Sequence, residues 1–456
     1  MRRLLRVADF SVRRFGTNFL LAYNIRAGIG LFLRVIALLR RKQFRSLLRF
    51  DSLVGETHLS FREDAVRTGL FIGGFTGLFH LVRGVLGVLR GRLEGWHTLL
   101  AGSVAGVTSL SLSAERRRTL ALYVCVRVLQ CLYNACKSRG YWHFWGSSWN
   151  HGDSLLFSLC SAQIMYAYVM RPSTLPASYN DFIVNTGPIR RSVLEAVRNN
   201  CRGLPIDVAA MFKHCVERSP HPESVVQQLS AHPPIIPCSV LHPQQPSCSV
   251  NVLSIFVDVV KKILPLYVSL NLVPTVVLRL GRFLRRPFST SLKSLLSACR
   301  STCFLSVFVA GYQAVICAHR RVAKVDNKGI YWLAGAVAGL SILIERKSRR
   351  AELSLYALPR AADSLFQTLV DNSVLPSVPH GEVMLFAASM GALCYFFERE
   401  REAMNPFVAS ILRRFFGPMP DWTDAACPGG MPPEETDEDR GATSSSSSVA
   451  ALGGGG

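Results

Sequence analysis

Residues 100–106, Leu-Ala-Gly-Ser-Val-Ala-Gly, return at 333–339 as Leu-Ala-Gly-Ala-Val-Ala-Gly, and the register holds well beyond them. At the same spacing Leu110 meets Leu343, Arg116-Arg117 meet Arg349-Arg350, Tyr123 meets Tyr356 and Arg127 meets Arg360. Upstream, Phe71 and Phe75 meet Phe304 and Phe308. Downstream, after a short deletion, His151-Gly152 meet His380-Gly381. Chance does not keep one offset across apolar, glycine and arginine positions together. An internal repeat of this kind predicts a fold of two related halves.

Each half carries four apolar runs: 66–89, 96–112, 119–135 and 153–170, then 295–318, 330–344, 352–370 and 382–397. Several lie near the lower limit of about 17 residues for a spanning helix. A buried core helix is the alternative for each. Charged residues make up only 18% of the chain, against roughly 25% in ordinary globular domains. The reading is an all-α membrane protein of two repeated four-helix transmembrane halves, each preceded by an amphipathic or interfacial helix. Its divisions are a basic amphipathic segment at 1–60, a first membrane repeat at 61–183 and a polar loop at 184–250. Interfacial helices follow at 251–294, where Lys261, Lys262, Pro265 and Pro274 argue against one straight span. A second membrane repeat occupies 295–416. The tail, 417–456, is too polar and glycine-rich to order itself.

The formal net charge is +22. A nucleic-acid partner would call for basic residues on one face, interleaved with aromatics. Here they fall in clusters between apolar runs: Arg116–Arg118, Arg320-Arg321, Arg346-Lys347 and Arg349-Arg350. That placement fits loops facing anionic headgroups, with membrane lipids as partners and no nucleic acid. Residues 1–49 hold many arginines and Asp9 as their only acid, a bias shared by mitochondrial presequences. The reading favoured is an amphipathic helix on the membrane surface, with Phe19, Leu20, Ile25, Leu31, Phe32 and Ile36 inward.

Three sets of residues stand out as candidate sites. Gly73 and Gly77, Gly102 and Gly106, and Gly335 and Gly339 are spaced by four, which lets a partner backbone approach one helix face. Arg127 and Arg360 sit inside apolar runs, where a charge needs a partner, a polar groove or a route to the headgroups. Asp363 lies at i+3 from Arg360, and Gln130 takes that place beside Arg127. Cys238-x3-His242 followed by Cys248 is the densest Cys/His cluster, with His214, Cys215, His221 and His232 upstream. It lacks the tight ligand pairs usual for zinc. Free thiols are expected, with a Cys238–Cys248 disulfide or a metal as alternatives, and no cofactor or metal is assigned. Asp153 and Glu382 follow His-Gly at matching helix starts, where an acid suits the macrodipole. Phosphate-loop, dinucleotide, serine-hydrolase and zinc-protease motifs are absent.

Three stretches resemble the transmembrane protein 135 family, which is similar to the four-helix Tim translocase subunits and a peroxisomal membrane protein group. They are Gly69-Leu-Phe-Ile-Gly-Gly-Phe75 through 100–106, Leu175-Pro-Ala-Ser-Tyr-Asn-Asp-Phe-Ile183, and Pro237-Cys238 to Cys248 with Leu264-Pro-Leu-Tyr267. The resemblance covers residues 17–416 and departs at Ser306 and Ala310, where the first half has Gly73 and Gly77. It implies a non-enzymatic integral membrane protein of mitochondria or peroxisomes, linked to fission–fusion balance and lipid metabolism. Its implied partners are other organelle membrane proteins or a second copy of itself. The alternatives are a pore or protein-translocation subunit, and a membrane enzyme using His151/Asp153 and His380/Glu382.

Overall fold

The computed structural model describes residues 1–40, 59–141, 149–218, 230–245, 247–278, 287–417, 419–420 and 422. His221, residues 41–58 of the basic segment, the 279–286 counterpart of the first basic helix and nearly all of the polar tail lie outside them. The described residues are helical, with no strand among them. In chain order the helices are α1 (Arg2–Arg40), α2 (Leu59–Arg90), α3 (Gly95–Gly106), α4 (Ala114–Ser138), α5 (Gly152–Met170), α6 (Ala177–Thr186), α7 (Arg191–Cys201) and α8 (Val208–Arg218). After them come α9 (Cys238–Leu241), α10 (Cys248–Leu278), α11 (Pro287–Val322), α12 (Gly329–Gly339), α13 (Lys347–Asp371), α14 (Gly381–Arg399) and α15 (Pro406–Phe416). Helices α3 and α12 each run on into a five-residue 3-10 turn, Val107–Ser111 and Leu340–Ile344.

Among the described residues, four stretches are long and apolar enough to cross a membrane: Glu63–Arg90, Ala114–Ser138, Phe288–Val322 and Gly381–Arg399. This corrects the expected eight. Helix α13 carries seven charged side chains, Lys347, Arg349, Arg350, Glu352, Arg360, Asp363 and Asp371, and α5 is lined with Ser154, Ser158, Ser161 and Gln163. Helices α3 and α12 are short apolar segments. A second correction concerns α10, which continues through Pro265 and Pro274 as one helix. Each proline removes one backbone donor, and the apolar run around them keeps the helix intact.

The helices form two compact units. Unit 1 comprises residues 1–139 and 380–456, hence α1–α4 with α14 and α15; unit 2 comprises 140–379, hence α5–α13. The expected grouping followed chain order, 61–183 and 295–416. The contacts place the fourth helix of each run, α5 and α14, with the three helices of the other run.

In unit 1, α1 lies along a glycine face of α2. A Cβ on Gly73 would meet the Phe15 carbonyl oxygen at 2.8 Å, and one on Gly77 would meet Phe15 Cβ at 2.9 Å. The inward face of α1 is therefore Val7, Ser11, Asn18 and Ala22, with Phe15 and Phe19 over the glycines. Leu20 and Ile25, expected inward, are exposed. Asn18 donates to Thr76 Oγ1 at 3.1 Å and to the Phe415 carbonyl at 2.9 Å. Helix α15 starts at Pro406 behind an Asn405 cap and buries Phe416, whose ring stacks on Phe79 at 4.3 Å.

The same close approach fixes α3 on α14. A Cβ on Gly102 would lie 2.9 Å from Gly391 Cα, and one on Gly106 would lie 2.6 Å from Ala387 Cα. In unit 2, α12 meets α5 in the same way, at 2.9 Å from Ala162 Cα for Gly335 and 2.7 Å from Ser158 Cα for Gly339. Ser158 also donates to the Ala336 carbonyl at 2.6 Å.

The arginine pairs also have fixed roles. Arg117 reaches the carbonyls of Leu110 and Leu112 at the end of one 3-10 turn. Arg350 reaches those of Leu343 and Glu345 at the end of the other, at 2.8 and 2.7 Å. Arg116 pairs with Asp64, and Arg349 donates to Ser301 at 2.7 Å. Arg117 and Arg350 thus satisfy helix-end carbonyls, a use that their expected role toward headgroups did not include.

Candidate metal centre and apolar pocket

Two features of unit 2 combine chemistry with enclosure. The first is built where a proline-rich segment turns into α10. Pro237 precedes the single turn α9, so Cys238 and His242 stand four residues apart on one side of it. Cys248 opens α10, and Cys317 comes from the last turns of α11. The ligand atoms of Cys238, His242, Cys248 and Cys317 all lie within 4.8 Å of one another. His242 and Cys317 are buried, Cys238 and Cys248 half-buried.

The imidazole is oriented by its far side. His242 Nδ1 lies 3.1 Å from the Gln245 carbonyl, which only a protonated nitrogen can satisfy, and Nε2 faces the thiols at 3.5 Å from Cys248 Sγ. Gln313, one turn before Cys317, donates its amide to that sulfur at 3.5 Å. Burial disfavours charge on His242, but hydrogen bonds with Cys238, Cys248 and the Gln245 carbonyl outweigh it and raise its pKa to about 9. The Cys238 thiol is pushed up to about 12, chiefly by its hydrogen bond with Cys317 and then by burial. All twelve described cysteines are free thiols, Cys238 and Cys248 included. The sequence named three of the four residues. Cys317 lies 69 positions past Cys248 inside an apolar run, with no spacing to announce it.

The segment entering this cluster is held by a buried ion pair. Arg320, one turn beyond Cys317, sits 2.9 Å from Asp326, both almost fully enclosed. Arg320 also donates to the Ile236 carbonyl and to Tyr331 Oη at 3.0 Å. Asp326 accepts from Asn200 at 2.7 Å and from the Ile236 amide at 3.3 Å. The expectation that Arg320 faces headgroups is thus corrected: its charge is spent inside unit 2. His214 and Cys215 are buried on α8, and His232 is exposed, away from the cluster.

The second feature is an apolar cavity of about 490 Å³ between α5, α6, α11 and α13. Phe157, Ile164, Phe182, Phe308 and Val309 line it, with Gln313 and Arg360 among its polar groups. Arg360 lies over the rings of Tyr356 and Tyr179, 3.8 and 5.0 Å from their centroids, and donates to the Tyr356 carbonyl at 2.7 Å. Asp363 is half-buried one turn on. A neighbouring cavity of about 660 Å³ shares the wall of Thr186 to Ile189 and Leu241. Its lining is basic, with Arg190, Arg191, Arg218 and Lys262 against Asp258. Arg190 and Arg191 also pair with Glu217 and Asp181.

In unit 1, Arg127 lines neither cavity. It donates to Gln130 and Tyr123, each at 2.9 Å, along its own helix. Both acids at helix starts have partners. Asp153 accepts from the Ser154 amide at 2.7 Å, and Glu382 pairs with Arg117 at 3.3 Å.

Residues 236–370 match the N-terminal cysteine-rich region of Transmembrane protein 135. Over that stretch, somewhat under a third of its length, the chain is similar to the transmembrane protein 135 family. The matched stretch opens two residues before Cys238 and contains all four members of the Cys/His cluster, the Arg320–Asp326 pair and Arg360. No solved structure matches the chain.

Proposed function

We propose that this protein is a non-enzymatic integral protein of a mitochondrial or peroxisomal membrane that binds an anionic lipid during organelle remodelling or lipid handling. The observation that carries the reading is the pair of cavities in unit 2. One is apolar and of a size usual for ligand sites; the other is basic, and they share one wall. That pairing suits an amphiphile, its chain beside Phe308 and Val309 and its acidic head beside Arg190 and Lys262. Arg360, covered by two tyrosine rings, holds a positive charge at the border of the apolar part.

The test is lipid capture by the purified full chain in detergent. Native mass spectrometry should find anionic phospholipid or fatty acid retained over neutral lipid, and Val309→Trp should lose it while keeping its thermal midpoint. Equal retention by wild type and Val309→Trp would remove the reading. Fluorescent tagging against mitochondrial and peroxisomal markers assigns the organelle.

The fold has its own proposal: two copies of one ancestral unit that traded last helices. Helices α4 and α13 are both 25 residues long and start 233 positions apart; α5 and α14 are both 19 residues long and start 229 apart. The paired glycine approaches and the paired arginine caps support it.

A further inference from the structure

We propose that Cys238, His242, Cys248 and Cys317 bind one zinc ion, and that this ion is a structural clamp joining the loop before α10 to α11. Zinc sits in a tetrahedron with sulfur at about 2.3 Å and nitrogen at about 2.0–2.1 Å, so its ligand atoms stand roughly 3.5–3.8 Å apart. Here the four atoms are gathered within 4.8 Å of one another, close enough for one ion to draw them in. A two-iron cluster would hold its terminal ligands farther apart across the pair of metals, so the spacing selects a single ion. Three thiols with one imidazole are a soft donor set, which favours zinc over magnesium or calcium.

The surroundings complete the site. A metal-bound histidine offers one ring nitrogen and anchors the other. His242 does so, with Nδ1 on the Gln245 carbonyl and Nε2 toward the sulfurs. A zinc-bound thiolate is steadied by an amide donor, and Gln313 supplies one to Cys317. Binding would release the three thiol protons and the proton on His242 Nε2, and leave a centre of net charge −1, three thiolates and a neutral imidazole on Zn²⁺. All four positions are filled by the protein, so no water or substrate position is left open and the ion's role is structural.

The sequence separation shows what the clamp does. Cys238, His242 and Cys248 fix the proline-rich turn to the start of α10, and Cys317 ties both to α11. Leu241 and Gln313, which neighbour the ligands in sequence, line the apolar cavity. The ion therefore holds one wall of that cavity, although its binding does not depend on what the cavity holds.

The experiment uses the full chain purified in detergent without chelator. Elemental analysis should find about one zinc per chain. Cobalt exchanged into the wild type should show the visible bands of a tetrahedral thiolate site, a reading that needs no variant to fold. Cys317→Ser should lose at least half of the bound zinc, and Cys299→Ser, at an exposed cysteine outside the cluster, should keep it. Wild-type protein dialysed against zinc that carries less than about a tenth of an equivalent would overturn the proposal. So would full zinc in Cys317→Ser, or a Cys238–Cys248 disulfide in the wild type by peptide mass mapping.

Discussion

Arg320 and Asp326 face each other at 2.9 Å with 1% and 2% of their side chains exposed, which makes them the most enclosed ion pair among the described residues. Removing one partner leaves the other charge buried alone, at a cost of about 3–5 kcal/mol. Asp326→Ala should therefore lower the thermal midpoint of the detergent-solubilised protein sharply. The double variant Arg320→Met with Asp326→Leu should recover much of that loss. A single variant as stable as wild type would mean that the pair is solvated.

The glycine contacts predict a sharp contrast between neighbouring substitutions. Gly106→Val and Gly339→Val drive side chains into Ala387 and Ser158 backbone, and overpacking of this kind costs about 1–3 kcal/mol. Gly152→Ala, with nothing within 4 Å of the added carbon, should be close to neutral. Thermal unfolding followed by size-exclusion recovery reads all three. Equal effects would show that α3 and α12 do not need close backbone approach.

His214 predicts an acid-labile unit 2. Burial first, then Arg218 and Arg190, lower its pKa from 6.5 to about 4, and among the described residues neither ring nitrogen has a hydrogen-bond partner. The folded state thus binds the proton less well than the unfolded state. Its stability contribution is complete above pH 6.5 and is lost as pH falls toward 4, by an amount on the order of 1–3 kcal/mol. The slope of stability against pH in that window should flatten in His214→Leu. An unchanged slope would assign the acid sensitivity to other groups.

Arg350 predicts a local defect. Arg350→Met leaves the Leu343 and Glu345 carbonyls without their donor, a loss of about 1–3 kcal/mol for charge-assisted hydrogen bonds. Hydrogen exchange should quicken at 340–346 while the Arg117 turn stays protected. Uniform exchange across both turns would dismiss a capping role.

Much of the helical layout could be read from the chain because apolar runs and small-residue spacing are local signals. Gly102, Gly106, Gly335 and Gly339 were marked as contact faces by spacing alone. Their partners were not, because a repeat tells which segments are alike and not which segments touch; hence the crossed placement of α5 and α14. Spacing also failed at Cys317, since a ligand brought in by tertiary contact leaves no mark at its own position. Arg320 beside Arg321 looks in sequence like any basic loop. Only the position of Asp326, six residues on and folded back, separates the buried charge from the outer one. In α10 the apolar run prevails over Pro265 and Pro274.

The crossed placement of the fourth helices has a consequence for biogenesis. While residues 140–379 are being synthesised, the Gly102–Gly106 face of α3 has no α14 to receive it, an interval of roughly 10–50 seconds at about 5–20 residues per second. A membrane chaperone shielding that face would find its natural target in this interval. A ribosome stalled near residue 370 would hold a chain whose α3 face is still uncovered.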